Sequence, residues 1–128
     1  FFPGKLHWQT GGYHSFTLLG IALLINNMVK AGYAPPKISV QIEKAILFME
    51  SNEYKKLLKK SEFSFGYNPT GFEIPAVIKL LGKQGLSYDS WIERQLNNHF
   101  CKKSNLMCLN TIDPNTLQSR ICEAVYLL

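Results

Sequence analysis

The chain has 128 residues, 46% of them hydrophobic and 18% charged, with a formal net charge of +5. That is enough for one domain with a packed core, and it excludes an intrinsically disordered composition. No apolar run reaches the ~18 residues of a membrane span; the longest, Phe16 to Ile25, ends at Asn26 and Asn27. Residues 1–13, "FFPGKLHWQTGGY", interleave aromatics with Pro and Gly and read as an ordered loop. "HSFTLLGIALLINNMVKAG" is apolar at helical spacing through Phe16, Leu19, Leu23 and Leu24, with Ser15 as N-cap and Gly32 as C′ stop. "YAPPK" turns the chain, and "ISVQIEKAILFM" begins a helix with a stripe of Ile42, Ala45, Ile46 and Met49.

"SNEYKKLLKK" is a short helix capped by Ser51, followed by a loop from Ser61 to Gly71 rich in Phe, Tyr, Gly and Pro. The next helix runs from about Glu73 to Lys83 and stops at Gly85. "SYDSWIERQLNNHF" forms another with Ser87 as cap, and "CKKSNLMCLNTI" is a connection. "DPNTLQSRICEAVYLL" opens a last helix with Asp113 as N-cap and Pro114 first, where its missing N–H removes no bond. No segment sustains period-two alternation, so the fold class is all-α. Phe16, Leu19, Leu23, Phe72, Val77, Leu80, Trp91, Leu117 and Ile121 are the expected core.

Self-comparison of the chain finds a repeat. "SFTLLGIALLINNMVKAGY" followed by "QIEKAIL" matches "GFEIPAVIKLLGKQGL" followed by "WIERQLN", aligning Phe16 with Phe72 and Ile42-Glu43-Lys44 with Ile92-Glu93-Arg94. "TLQSRICEAVYLL" opens a third unit with Leu117 in the place of Phe16. Each unit pairs an apolar first helix with a more amphipathic second one. The apolar helix needs burial on most sides and the amphipathic one can lie outside, which gives stacked antiparallel hairpins in two layers. The first residue is Phe1 rather than Met, and the single helical domain of residues 1–128 reads as an excised piece of a longer protein.

In "GGYHSFTLLGIALL", "FGYNPTGFEIPAVIKLLG" and "DPNTLQSRICEAVYLL" the chain resembles an α/α toroid, the helical-hairpin barrel of six-hairpin glycosidases, sugar epimerases and terpenoid cyclases. The likeness covers most of the chain from Gly11 onward and is one of pattern; the aspartate-rich motif of the cyclases is absent. It implies part of such a barrel or an open helical array, with a carbohydrate-processing or carbohydrate-binding site where loops enter the inner helices. Three stretches, "KLHWQTGGYH", "SFGYNPTGFE" and "NTIDPNTLQ", would build that site. Glu73 is then the acid or base, with His7, Trp8, His14, Tyr67, Asn68 and Asp113 as substrate-binding residues and Tyr13 and Gln118 near them. Aromatic faces cover sugar C–H surfaces, and carboxylates and amides bond hydroxyls.

Each of these residues also has a structural reading. Glu73 lies three after Thr70, as in a capping box, unless the helix begins near Ile74 with Pro75 first. Asp113 is a strong cap, and His14 beside Ser15 has no local Asp or Cys partner for a triad. Arg120 and Glu123 are spaced for a same-helix ion pair. Glycoside hydrolysis asks for two facing carboxylates, and the loops offer Glu73, Asp113 and Glu62, which is compatible with an enzyme without indicating one. No Gly-rich phosphate loop argues for nucleotide chemistry, and no cofactor is implied.

No CxxC or paired His suggests a metal site, and Cys101, Cys108 and Cys122 read as free thiols, with a Cys101–Cys108 bridge open in an oxidising compartment. Neither these cysteines nor "NPT", whose Pro blocks glycosylation, assigns a localisation. "YKKLLKK" (Tyr54 to Lys60) is a solvated helical face, or else a membrane-surface or phosphate-binding helix; nothing marks a nucleic-acid binder. The competing class is a non-catalytic helical-repeat module for protein–protein contact. Ile121, Val125, Leu127 and Leu128 on the last helix would supply a contact with a partner chain or a second copy, unless that helix folds back into its own core.

Overall fold

A computed structural model describes residues 8–37, 39–61, 63–81 and 88–125, without the side chains of Trp8, Gln9, Thr10, Ser39 and Glu123. Among these residues the fold is all-α: α1 (Trp8–Lys30), α2 (Ser39–Glu50), α3 (Asn52–Lys60), α4 (Thr70–Leu80), α5 (Asp89–His99) and α6 (Pro114–Val125). A two-residue hairpin, β1 (Phe100–Cys101) with β2 (Leu106–Met107), sits between α5 and α6. Its register pairs Phe100 with Met107 and Cys101 with Leu106, and Asn105 turns it at positive φ. The sequence reading took this segment as a plain connection; two residues per strand are too few to show a period.

α4 organises the rest. Every residue from Thr70 to Ile78 is buried, because α4 packs on α1, α5 and α6. α3 lies on α1 and α2. The helices with the most apolar sequences, α1 and α4, are therefore direct neighbours, and the amphipathic α3 and α5 lie against them from outside. Leu19, Phe72, Val77, Trp91 and Leu117 are buried in the core, and Leu23, Leu80 and Ile121 pack against it half-buried. Phe16 departs from expectation at 39% exposure, for a reason given below.

Helix ends follow local rules where these can be checked. Gly32 takes φ +83, and Tyr33 N–H bonds Met28 O at 2.9 Å while Gly32 N–H bonds Val29 O at 3.0 Å. This is the Schellman closure that only a residue tolerant of left-handed φ makes without strain. Ser51 Oγ accepts from Tyr54 N–H at 3.1 Å and caps α3. Asp113 caps α6 with Oδ1 on Thr116 N–H at 3.0 Å and Oδ2 on the Thr116 hydroxyl at 2.6 Å. Gly85 and Ser87, expected to end α4 and start α5, lie outside the described residues, as does Glu62.

Two starts were misread. α1 begins at Trp8, so the expected loop "WQTGGY" is helix and Ser15 lies inside α1 rather than capping it. Glycines disfavour a helix by ~1 kcal/mol each relative to Ala. Here close packing requires glycine at Gly12, where a Cβ would lie 2.1 Å from Phe63 O, and is tight at Gly11, where one would lie 3.2 Å from Leu57 Cβ. α4 begins at Thr70, with Pro69 as N-cap and no side-chain cap bond. Thr70 and Glu73 therefore form no capping box, and Pro75 lies in the helix interior rather than at its first position.

The last helix folds onto its own domain. Leu117 and Ala124 are fully buried, and α6 packs on α4 and β2. Val125 is 46% exposed, and Leu127 and Leu128 lie outside the described residues. No helix among the described residues is long and apolar enough to cross a membrane.

Candidate functional site

The three stretches expected to form a site do touch one another. Asn68, fully buried, donates through Nδ2 to Gly12 O at 2.8 Å and to Phe63 O at 2.6 Å. Its Oδ1 accepts from Arg120 Nη1 on α6. The Thr111 hydroxyl donates to Gly66 O, and Thr111 Oγ1 accepts from Asp113 N–H at 3.2 Å. The start of α1, the 63–69 loop and the start of α6 are thus laced together through one amide and one hydroxyl.

Beneath this lacing lies a closed polar knot. Glu73, 1% exposed, accepts from Ser15 Oγ at 2.6 Å. Thr70 Oγ1 stands 3.4 Å from the same hydroxyl, and Ser15 has a single proton, which the shorter contact takes. The Tyr54 hydroxyl, from α3, donates to Gly11 O at 3.0 Å. Burial, helped by the Glu73 carboxylate, pushes the Tyr54 phenol well above its usual range, so it is a neutral donor. α1, α3 and α4 meet here. Gln95 plays the matching part on α5: its Oε1 accepts from Gly71 N–H at 3.0 Å and its Nε2 donates to Phe65 O at 2.8 Å.

Above the knot is a surface of rings. Tyr13 and Phe16 are each 39% exposed. Tyr13 meets Phe63 at 5.6 Å between ring centroids, and Phe63 meets Tyr67 at 5.5 Å. The Arg120 guanidinium lies 4.2 Å over Phe16 and 5.5 Å from the Tyr67 ring. Phe16 thus has one face covered by a cation instead of by the core, which explains its departure from the buried set. Arg120 is turned to Asn68 and the rings; the side chain of its expected partner Glu123 lies outside the described residues.

The expected site residues divide accordingly. Tyr67, Asn68 and Glu73 lie in or beside this lacing, and Asp113 adjoins it while capping α6. His14 faces the other way: its Nε2 is 3.2 Å from Ala45 O and its ring meets Phe48 at 5.2 Å and Tyr54 at 5.5 Å. Burial lowers the His14 pKa, so the ring sits neutral among aromatics. His7 and the Trp8 side chain lie outside the described residues. Gln118 is half-buried, and its Nε2 has no hydrogen-bond partner among the described residues. Sequence reasoning missed Arg120 and Ser15 as the groups that organise this region. The available signal was that Arg120 is the one arginine of α6 and Ser15 the one serine of α1.

Two clefts lie elsewhere, between α3 and α5, and none of the expected site residues lines either one. Among the described residues no group of three His, Cys, Asp or Glu side chains could hold a metal ion. All three cysteines are free, and the Ser104 hydroxyl lowers the Cys101 thiol pKa.

No protein-family model matches the chain, and no solved structure matches it. Among curated proteins it is similar to archaeal glycosylation protein Q of Haloferax volcanii, with 27% identity over 124 residues. That match covers 96% of this chain and 33% of the relative, so the chain spans about a third of the length of the curated protein it matches.

Proposed function

We propose that the chain is a carbohydrate-binding or carbohydrate-processing helical domain of α/α-toroid type, and that saccharide meets the ring surface of Tyr13, Phe16 and Tyr67 beside Arg120. The observation that carries this reading is the exposure of Phe16 under a guanidinium held by Asn68. A ring and a fixed cation at a surface present an apolar face and hydrogen-bond donors together, which is what a sugar ring requires. The likeness to a glycosylation protein supports the same substrate class. Packing of α1 on α4 and of α4 on α6, with α3 and α5 outside, is compatible with successive inner helices of a toroid.

Within this reading Glu73 is the acid–base residue: it is bonded to Ser15 on α1, one residue before Phe16 of the ring surface, and caps no helix. Glu73→Gln keeps an acceptor for Ser15 and removes the charge, so loss of turnover at an unchanged melting temperature is the signature of that role; full turnover sinks it. Saccharide binding is tested by titrating a panel of mono- and disaccharides into the parent and into Phe16→Ala. Saturable binding by the parent that weakens about tenfold in Phe16→Ala is expected, from stacking of ~1–1.5 kcal/mol. Binding that ignores Phe16 would remove the ring surface from the account.

A second reading, contact with another protein chain, is favoured by the apolar residues Leu24, Val29, Val40 and Leu47, all more than half exposed on α1 and α2. In this reading α1 and α2 meet the remainder of a longer protein or a partner, and the last turn of α6 with Val125 adds to the contact.

A further inference from the structure

The two clefts between α3 and α5 share a pair of cations. One, of about 490 Å³, is lined by Ser61, Phe65, His99 and Asn110 together with Lys59 and Arg94. The other, of about 460 Å³, is lined by Asn52, Lys55, Lys56, Ser90 and Trp91, again with Lys59 and Arg94. Asn52, Lys55, Lys56 and Lys59 recur at helical spacing and so present one face of α3. Ser90, Trp91 and Arg94 do the same on α5. Among the described residues no acidic side chain lines either cleft.

Such a wall is unfavourable when empty. Like charges three and four apart on a helix destabilise it by a few tenths of a kcal/mol per pair. Lys55 has a distant carboxylate at 3.9 Å, Glu50, and among the described residues the walls carry no acid for the other cations. The arrangement is nevertheless built rather than loose. The Arg94 guanidinium is stacked 4.3 Å over Phe65, and Phe65 stacks on Trp91 at 6.1 Å and 14°. On the same cleft Ser61 is buried, and its Oγ has no hydrogen-bond partner among the described residues. An orphaned hydroxyl on the same cleft as a stacked guanidinium leaves donor capacity that no described residue takes up.

We propose that the groove between α3 and α5 binds a compact oligophosphate, a pyrophosphate-type group borne by a soluble ligand or by a lipid headgroup. Lys55, Lys56, Lys59 and Arg94 are its counter-charges. Lysines act as point charges toward phosphate and arginine as a directional fork. The concave shape selects a small anion that enters over a flat surface that only rests on the lysines. The proposal is independent of the saccharide reading, since it shares no residue with the ring surface.

Isothermal titration of the chain with sodium pyrophosphate at low ionic strength, without magnesium, tests it. Saturable one-to-one binding is expected. Lys59→Gln should weaken it about tenfold, the value of one hydrogen bond to a charged group, and Lys56→Gln should also weaken it. Lys44→Gln, on α2 and outside both clefts, should change it less than twofold. Lys59 is exposed, and an unchanged circular dichroism spectrum verifies the fold of that variant. No saturable binding, or equal weakening by Lys44→Gln and Lys59→Gln, overturns the proposal. Flotation with phosphatidylcholine vesicles, with and without phosphatidic acid, distinguishes the sources. Lys59-dependent flotation displaced by pyrophosphate assigns the phosphate to a lipid; pyrophosphate binding without flotation assigns it to a soluble ligand.

Discussion

The knot around Ser15 and Glu73 and the groove between α3 and α5 are both polar, yet they are built on opposite plans. In the knot and the lacing above it, Ser15, Asn68, Thr70 and Gln95 are spent on one another, on Glu73 and Arg120 or on backbone groups, and neither cleft between α3 and α5 is lined by them. In the groove, cations line open volume and no acid among the described residues opposes them on its walls. Buried polar groups must be matched inside the protein because water is absent. Exposed ones can remain unmatched because water or a ligand serves them. Closed polarity holds helices together, here with Glu73 fixed by Ser15, and polarity that is left open is available to a ligand. The ring surface of Tyr13, Phe16 and Tyr67 lies between these limits: it is fixed from below by Asn68 and Arg120 and open above.

The contrast can be broken by substitutions that respect it in one region and not the other. The largest effect is expected at Gly12, where an Ala Cβ would lie 2.1 Å from Phe63 O and 2.8 Å from Ser64 N. Neither backbone atom can swing away as a flexible side chain would. Gly12→Ala should lose about 3 kcal/mol in urea unfolding, and a loss below about 1 kcal/mol would mean that α1 and the 63–69 loop are not so closely apposed. Next is Ser15→Ala, which removes the 2.6 Å donor from a carboxylate that stays buried. A loss of about 2 kcal/mol is expected; a melting curve matching the parent would show that the knot holds nothing together.

A smaller effect is expected in pH dependence. The folded pKa of His14 is lowered from 6.5, first by burial. The unfolded chain therefore binds more protons in the window just below 6.5, and stability rises with pH there and falls as the solution is acidified through it. His99 is lowered for the same first reason and adds the same sign. His14→Gln should flatten this slope in unfolding experiments between about pH 5 and 7, and an undiminished slope would contradict a neutral buried ring. The smallest effect belongs to the groove: Lys56→Gln should shift stability by less than ~0.5 kcal/mol. A large loss would make the lysines structural and erase the distinction between the two regions.

Much of the fold was legible in the sequence because it is written locally. The φ-tolerant Gly32, the Ser51 and Asp113 caps and the apolar spacing of Leu19, Phe72, Val77 and Leu117 each rest on neighbours within one or two turns. The errors arose where distant contacts override local rules. Gly11 and Gly12 read as a loop, and they are helical residues whose missing side chains let Leu57 and Phe63 pack close. Thr70 and Glu73 have capping-box spacing, but the partner of Glu73 lies 58 residues away on α1. Phe16 read as core because its period is apolar, and nothing in sequence announces a guanidinium arriving from residue 120. Of the residues expected at a site, Tyr67 and Asn68 were singled out by their aromatic and turn-rich context, and they lie beside Arg120 in the fold. Arg120, which orients the surface they share, could not be found without the fold.

The most direct test of the account follows backbone amide chemical shifts while the saccharide panel is titrated into the chain. The account predicts saturable shifts grouped at Tyr13, Phe16, Phe63, Tyr67 and Arg120, with the amides of Lys55, Lys56, Lys59 and Arg94 unmoved. Shifts confined to the α3–α5 groove, or no saturable shift with any saccharide of the panel, would contradict it.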